Sequence, residues 1–143
     1  MRAAAAGALA LLLTIAGCDQ GGGSGDDLGP AVVDGERVDA DTLRKGRFLY
    51  MRWCAGCHGP DGRGGGGRAR TAKRPPPDLT KRAWRHAEAH QGELPSDAHL
   101  RRVVREGIDG TIMTPMPVPD DDLPALVTYV KYLASPGADQ SVQ

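Results

Sequence analysis

The sequence predicts a small all-α domain in a chain of 143 residues. In the last third of the chain, apolar residues recur at the 3.6-residue spacing of a helix with one buried face. These residues are Leu123, Leu126, Val127, Val130 and Leu133. No segment shows the strict alternation of a half-buried strand, and no hairpin pattern is expected. The length suits one domain and is too short for two of ordinary size.

Capping residues place the helices along the chain. Asp41 is the expected N-cap of a first helix from Thr42 to about Arg52. Ser96 is expected to cap another helix, which Gly107 would end. Both ends of this second helix therefore have a capping residue in the sequence.

Two further helices are predicted with weaker boundaries. Pro119 and the three aspartates at 120–122 put negative charge where the positive end of the last helix would form. A shorter helix over about residues 79–87 would carry Trp84.

The first 17 residues have the form of a secretory signal. One positive charge at Arg2 precedes an apolar run that ends in Ile-Ala-Gly-Cys at residues 15–18. This end resembles the bacterial lipoprotein cleavage box, which implies that Cys18 becomes the first mature residue and carries lipid. An ordinary signal peptide with a nearby cysteine is the alternative. Asp19 resembles the signal that keeps some lipoproteins in the inner membrane.

Composition divides the rest of the chain. Residues 18–40 comprise the lipidated cysteine and a Gly-rich, acidic stretch that is expected to be a disordered tether. The domain is expected over 41–135, with a flexible tail at 136–143. Residues 18–41 hold seven acidic residues and one basic residue, whereas residues 42–143 hold 16 basic and 11 acidic residues. The acidic tether thus precedes a basic domain.

Two function classes are excluded by composition. No apolar run reaches the ~18–20 residues that cross a bilayer as a helix, which excludes an integral membrane protein. The formal net charge of zero argues against a dedicated nucleic-acid binder.

Five consecutive residues carry the chemistry. Residues 54–58 read Cys-Ala-Gly-Cys-His, a C-x-x-C-H sequence of the kind that attaches c-type haem. Two thiols three positions apart on a helical turn can each add to one vinyl group of the porphyrin. His58 then follows at once and is placed beneath the iron as proximal ligand.

Three other uses of Cys54 and Cys57 are less favoured. A thioredoxin-like redox pair requires a strand–helix context, which the surrounding residues do not show. A structural zinc site requires a second pair of ligands, and none is present. A disulfide between these two cysteines would close a very small strained loop.

With these residues the chain resembles the monohaem class I cytochrome c family over about 41–135. Residues 46–50 resemble the first helix of that family as it runs into the haem motif, and residues 59–62 resemble the usual continuation. Residues 75–79 are similar to its proline-led segment. The resemblance implies three to five helices wrapped around one covalent haem c.

The resemblance also implies particular contacts. The first and last helices would cross closely, with Gly46, Tyr50 and Tyr129 as participants. A backbone carbonyl of Pro75, Pro76 or Pro77 would accept the proton of His58 Nδ1.

The resemblance implies a methionine as the second axial ligand of the iron. Met113 fits the family form G-I-x-G-T-x-M and is the preferred candidate, although Thr114 follows it where the family usually has proline. Met116 is followed by Pro117 and is the alternative, although it leaves few residues before the last helix. A thioether in this position raises the reduction potential.

The other histidines are expected to be surface residues. His86 and His90 are four positions apart and could form a metal pair, but they lack the H-E-x-x-H order of zinc hydrolases. His99 lies near a helix start and is expected to be exposed. A bis-histidine haem through one of these residues is the alternative.

The stretch from Arg63 to Arg85 holds eight basic residues. It is expected to be a solvated face, and the alternative is a docking surface for an acidic redox partner. Its four glycines at 64–67 are expected to form a flexible surface loop, since no P-loop lysine follows them.

The predicted function is that of a periplasm-facing electron carrier anchored through Cys18 to a bacterial membrane, the inner membrane being favoured over the outer, and not of an enzyme. The expected partners are membrane respiratory complexes or other redox proteins with acidic surfaces, and the carrier is expected to be a monomer that binds no nucleic acid. The alternative is a haem-based gas or redox sensor, or a peroxidase-like enzyme, with an open or labile sixth site.

Overall fold

Four α-helices and one short hairpin form the described part of the domain. A computed structural model describes residues 28–82, 84, 86, 92–136 and 138. The elements in chain order are β1 (Ala31–Val33), β2 (Glu36–Val38), α1 (Ala40–Trp53), α2 (Ala55–His58), α3 (Asp97–Glu106) and α4 (Leu123–Leu133), with a 3₁₀ turn at Gly67–Ala69. The all-α class is confirmed, with the addition of the two-stranded sheet.

The hairpin corrects the prediction of a disordered tether up to residue 40. β1 and β2 pair antiparallel, with Val33 opposite Glu36. Asp34 and Gly35 form the turn with φ of 52° and 86°, the conformation that an Asp-Gly hairpin turn requires. Leu28 and Val33 are buried in the core at 2% and 4% exposure. Composition misled here because a few apolar side chains, placed by the turn, suffice to dock the segment.

The remaining terminal predictions differ in outcome. Cys18, the signal segment and residues 19–27 lie outside the described residues. At the other end, the predicted flexible tail is wrong at Ala138, which is 5% exposed and belongs to the core.

Helix α1 begins two residues earlier than predicted, because Asp39 is its N-cap. The Asp39 carboxylate accepts hydrogen bonds from the Thr42 backbone N–H and hydroxyl, both at 2.8 Å. Asp41, the expected cap, lies inside the first turn and pairs with Arg44. Thr42 is the third helical residue, which is where a cap carboxylate reaches back to.

The crossing of α1 and α4 forms the centre of the core. A Cβ on Gly46 would overlap the carbonyl oxygen of Ala125 and lie 2.6 Å from Cβ of Tyr129. The Tyr50 and Tyr129 rings pack with their centroids 5.5 Å apart. The predicted participants of the crossing are therefore confirmed, and the missing side chain of Gly46 is what permits the close approach.

Helix α3 has the predicted ends. The Ser96 hydroxyl accepts from the His99 backbone N–H at 3.2 Å, and Gly107 ends the helix with φ of 75°. His99 itself is 7% exposed, which contradicts the expected surface position. It lies one turn before Val103, on the side of α3 that packs against the rest of the domain.

Helix α4 starts after the acidic triplet. The backbone N–H groups of Asp122 and Leu123 both donate to the carbonyl of Pro119, which makes residues 119–122 a turn before the helix. The predicted apolar positions of α4 are buried, apart from Val130, which is half-buried.

The short helix expected over residues 79–87 is not formed at residues 79–82. There the Asp78 carboxylate accepts from the Thr80 N–H at 2.9 Å and from its hydroxyl at 2.6 Å, which closes a turn. Residues 83, 85 and 87 lie outside the described residues. Within the described ranges, no helix is long and apolar enough to cross a membrane.

Candidate haem centre

The C-x-x-C-H residues occupy the junction of α1 and α2. The backbone N–H of Cys54 donates to the Tyr50 carbonyl at 2.8 Å, so the cysteine still belongs to the hydrogen-bonding path of α1. The N–H groups of Cys57 and His58 donate to the Cys54 carbonyl at 3.0 and 2.9 Å. The motif therefore lies along helical backbone, with the two cysteines three positions apart and His58 directly after the second.

Both cysteines are free and half-buried. Burial raises the pKa of the Cys54 thiol to about 12, and the neighbouring Cys57 adds to this effect. A thioredoxin-like pair requires a thiol whose pKa is lowered. Cys54 therefore lacks the lowered pKa that a redox dithiol of this kind requires.

His58 is half-buried and follows the second cysteine directly. Its Nδ1 atom is buried and has no hydrogen-bond partner in the described part of the chain. The expected bond to a carbonyl of residues 75–77 is therefore not formed in this structure. Burial lowers the pKa of His58, which favours the neutral ring that can coordinate iron.

The loop that follows the motif folds back against it. The N–H groups of Gly64 and Gly66 donate to the carbonyls of His58 and Cys57, at 2.7 and 3.2 Å. A Cβ on Gly66 would lie 2.6 Å from the Cys57 carbonyl oxygen. The expectation of a flexible surface loop is wrong at these two glycines, because they allow backbone to pack directly on the motif.

The proline-led segment and α1 hold the same loop from its other sides. A Cβ on Gly64 would lie 2.6 Å from the Pro76 carbonyl oxygen, so the prolines contact the loop closely. The Tyr50 hydroxyl donates to the Gly59 carbonyl at 2.7 Å in the core. The position of His58 is thus supported by three separate segments.

The two candidate methionines lie in the segment between α3 and α4. The backbone N–H of Met113 donates to the Thr111 hydroxyl at 3.0 Å, and its carbonyl accepts from the Ile108 N–H at 2.8 Å. The N–H of Met116 donates to the Val104 carbonyl at 2.9 Å, and its side chain packs against the core. Both are half-buried, and the choice between them stays a prediction.

The remaining histidines do not form a metal site in the part of the chain that the structure covers. No group of three or more His, Cys, Asp or Glu side chains there could hold a metal ion. His86 is exposed, as expected, and His90 lies outside the described residues. The buried ring of His99 has its Nδ1 atom 3.2 Å from an Arg102 guanidinium nitrogen.

Like His58 Nδ1, two further side-chain polar atoms are buried without a hydrogen-bond partner among the described residues, and sequence analysis did not predict either. These atoms are Trp84 Nε1 and Arg101 Nε. The sequence offered one signal for Arg101, which is its position between Leu100 and Val103, two residues of the apolar face of α3. An arginine at the edge of an apolar helix face is easily taken for a solvated residue.

Comparison with protein families finds that the model for cytochrome c matches residues 43–134. The chain belongs to the cytochrome c family. As a member, this cytochrome c binds a covalent c-type haem. The two free cysteines followed directly by the half-buried His58 fit that group.

A solved structure adds a more distant likeness. This cytochrome c is similar, at 28% identity and a TM-score of 0.54, to a chain of the reducing HAO-like protein complex of Kuenenia stuttgartiensis. The match covers 64% of this chain and 41% of that chain, so this cytochrome spans less than half of its structural relative. Comparison with the curated proteins found no match.

Proposed function

We propose that this cytochrome c is a single-haem electron carrier in which Cys54 and Cys57 form the thioether links and His58 binds the iron. The observation that carries the proposal is the helical turn that brings two free, half-buried thiols and the half-buried His58 together. The haem supplies the one-electron Fe(III)/Fe(II) couple. The chain orients the ring of His58 through the loop at residues 59–66 and keeps water from its Nδ1 side.

Met113 is proposed as the second axial ligand. Its backbone is held on both sides, by Thr111 and by Ile108, in a loop that Gly107 allows to turn back. A side chain on Gly107 would meet Pro115 at 3.1 Å. A fixed loop of this kind favours one thioether position in both oxidation states, which suits a carrier because little reorganisation accompanies electron transfer.

The optical spectrum of protein matured with its haem tests the proposal. We expect sharp low-spin bands after reduction and, in the ferric state, the weak far-red band of iron–methionine ligation. A high-spin spectrum that changes with carbon monoxide would contradict the carrier and support the sensor or peroxidase-like alternative. Failure of the Cys54→Ala, Cys57→Ala double variant to lose covalent haem would contradict the attachment site.

We also propose that the carrier faces the periplasm and is anchored to the inner membrane by lipid on Cys18. The support is the form of residues 1–18, with a charged start, an apolar run and small residues before the cysteine. The test is incorporation of a labelled fatty acid in cells that express the wild type and Cys18→Ser. We expect label on the wild type and none on the variant; a wild type without label would contradict the anchor.

An acidic redox protein is the proposed partner. The described basic residues of the stretch 63–82 are all exposed: Arg63, Arg68, Arg70, Lys73, Arg74, Lys81 and Arg82. Of the two acidic residues in the same region, Asp61 pairs with Arg63 at 3.7 Å and Asp78 with Lys81 at 3.6 Å. The net positive face follows the haem motif directly, and the likeness to a chain of a larger complex also favours a protein partner.

A further inference from the structure

Two large apolar side chains lie on the face of α1 that the rest of the described domain does not cover. Phe48 is 65% exposed and Met51 is 41% exposed, whereas the opposite face of the helix is buried against α4. The two residues are three positions apart and are therefore neighbours on the helix surface. Phe48 is also the only phenylalanine of the chain. Single exposed apolar residues are common on protein surfaces, but adjacent ones with a polar border mark an interaction surface.

Basic residues border these two side chains. Arg44 and Arg52 lie four positions before and four positions after Phe48, and both are exposed. Helix α1 as a whole holds four basic residues and one acidic residue, Asp41, which pairs with Arg44. Arg44, Phe48, Met51 and Arg52 together form the outer face of α1. Apolar and basic side chains on one helical face are the combination that binds the surface of an anionic bilayer.

The chain enters the domain next to this face. The Leu28 carbonyl accepts a hydrogen bond from Arg44 Nη1 at 3.2 Å. Cys18 lies ten positions before Leu28, and a stretch of that length spans at most about 35 Å when it is fully extended. A lipid on Cys18 therefore keeps the side of the domain that carries Arg44 within reach of the bilayer.

The other basic surface of the domain lacks the apolar component. The basic stretch over 63–82 has no large apolar side chain exposed among its described residues. Val32 and Ile112, the other exposed large apolar residues of the described ranges, come from separate segments. Charge alone attracts an acidic protein, but binding to a bilayer increases with the apolar area that is buried in it. The outer face of α1 is therefore the described surface that suits a bilayer.

We propose that the outer face of α1 rests on the anionic bilayer that holds the anchor. Phe48 and Met51 enter the boundary between headgroups and acyl chains, and Arg44 and Arg52 bind phospholipid phosphates. The contact requires no change in the fold, because both apolar side chains are already exposed. The inference rests on the proposed lipid on Cys18 and goes beyond it, since it states which side of the domain faces the membrane.

The test measures whether the bilayer protects this face from a reagent in water. Lipidated, haem-loaded protein is placed in phosphatidylcholine vesicles with or without phosphatidylglycerol. Lys45→Cys introduces one reactive thiol beside Phe48, because haem and lipid occupy the native cysteines. Its rate of reaction with an uncharged, water-soluble maleimide is expected to fall about tenfold on the anionic vesicles. Thr71→Cys, an exposed position in the basic stretch, is the control and is expected to react equally on both.

A second pair of variants tests the apolar side chains. Phe48→Ser combined with Met51→Ser, in the Lys45→Cys protein, is expected to restore fast reaction on anionic vesicles. Ile112→Ser removes an exposed apolar side chain outside α1 and is expected to leave the protection unchanged. Equal rates for Lys45→Cys on the two kinds of vesicle would overturn the inference. Protection of Thr71→Cys to the same or a greater extent would also overturn it, because the bilayer would then bind basic residues without regard to the apolar pair.

Failure of the anchor gives a different result. Protein that carries no labelled fatty acid and does not float with phosphatidylcholine vesicles contradicts the lipid on Cys18. Anchored protein whose Lys45→Cys thiol stays reactive contradicts only the contact of α1 with the bilayer. Protection that appears only after an acidic redox protein is added would show that the outer face of α1 binds protein, and the inference would be wrong.

Discussion

The Nζ atom of Lys131 lies 3.1 Å from Oδ2 of Asp34, which joins the last helix to the turn of the N-terminal hairpin. The same Nζ lies 2.6 Å from Oδ1 of Asp97 at the start of α3. Lys131 is 8% exposed, whereas both carboxylates keep contact with solvent. One buried cation thus fastens three segments that are far apart in sequence.

Lys131→Met is expected to lower the free energy of unfolding by about 1–3 kcal/mol, because it removes two charge-assisted hydrogen bonds and leaves the acids near solvent. Chemical denaturation of both proteins measures the difference. Lys45→Met is the control, since Lys45 is half-exposed and its bond to Asp122 is a surface ion pair. An equal loss in both variants would contradict the role of burial.

The contribution of Lys131 is expected to vanish in alkali. Burial alone would lower the pKa of Lys131, but the hydrogen bonds and charges of Asp97 and Asp34 outweigh burial and raise the pKa above its usual 10.5. The stabilisation is therefore complete below the unfolded-state pKa and is lost as pH rises through the folded-state pKa. The stability difference between the wild type and Lys131→Met should be constant at neutral pH and shrink above 10.5.

The contribution of the Asp39 N-cap to stability is expected to be lost in acid. The hydrogen bonds that Asp39 accepts from Thr42 lower the pKa of its carboxyl below 3.8. The cap therefore stabilises α1 above the unfolded-state pKa, and the effect is lost as pH falls through the folded-state value. Asp39→Ala should lower the melting temperature at neutral pH but not in strong acid. Asp41→Ala, which removes no cap, should lower it less.

Gly46→Ala is expected to destabilise the domain by about 3 kcal/mol, because the added methyl group would overlap backbone of α4. Thermal unfolding of the haem-loaded protein measures the effect. Gly67→Ala is the control, since a Cβ there meets nothing within 4 Å. A melting temperature for Gly46→Ala equal to that of the control would show that α1 and α4 do not cross at this point.

Single substitutions distinguish the two candidate axial ligands, Met113 and Met116. Met113→Leu is expected to abolish the far-red ferric band and make the iron high-spin, because leucine keeps the volume but has no thioether. Met116→Leu is expected to leave the spectrum unchanged, since its core packing is preserved. The reverse result would assign Met116, and an unchanged spectrum in both would exclude both residues.

Electron transfer to an acidic redox protein is expected to slow as ionic strength rises, because salt screens the steering of the basic stretch. Stopped-flow rates between low salt and about 0.5 M test this. Lys73→Glu combined with Arg74→Glu should reduce the low-salt rate, and Arg37→Glu, a change of the same sign at an exposed residue of the N-terminal hairpin, should not. Rates independent of salt would contradict an electrostatic docking surface.

Much of this cytochrome follows from local sequence. The C-x-x-C-H residues, the helix with Ser96 and Gly107 at its ends, and the apolar period of α4 each depend on neighbours within a few positions. Such signals do not require knowledge of the rest of the chain. The crossing at Gly46 was likewise expected, although through the family resemblance.

Other features were decided by contacts between distant segments. Val33 in the hairpin is buried in a core built from distant segments, and Lys131 of the last helix holds the neighbouring Asp34. Composition alone made the same residues look like a tether. The burial of His99 and Arg101 depends in the same way on what lies against α3. Sequence determines local spacing, whereas which side of an element loses contact with water is decided by the tertiary partners that cover it.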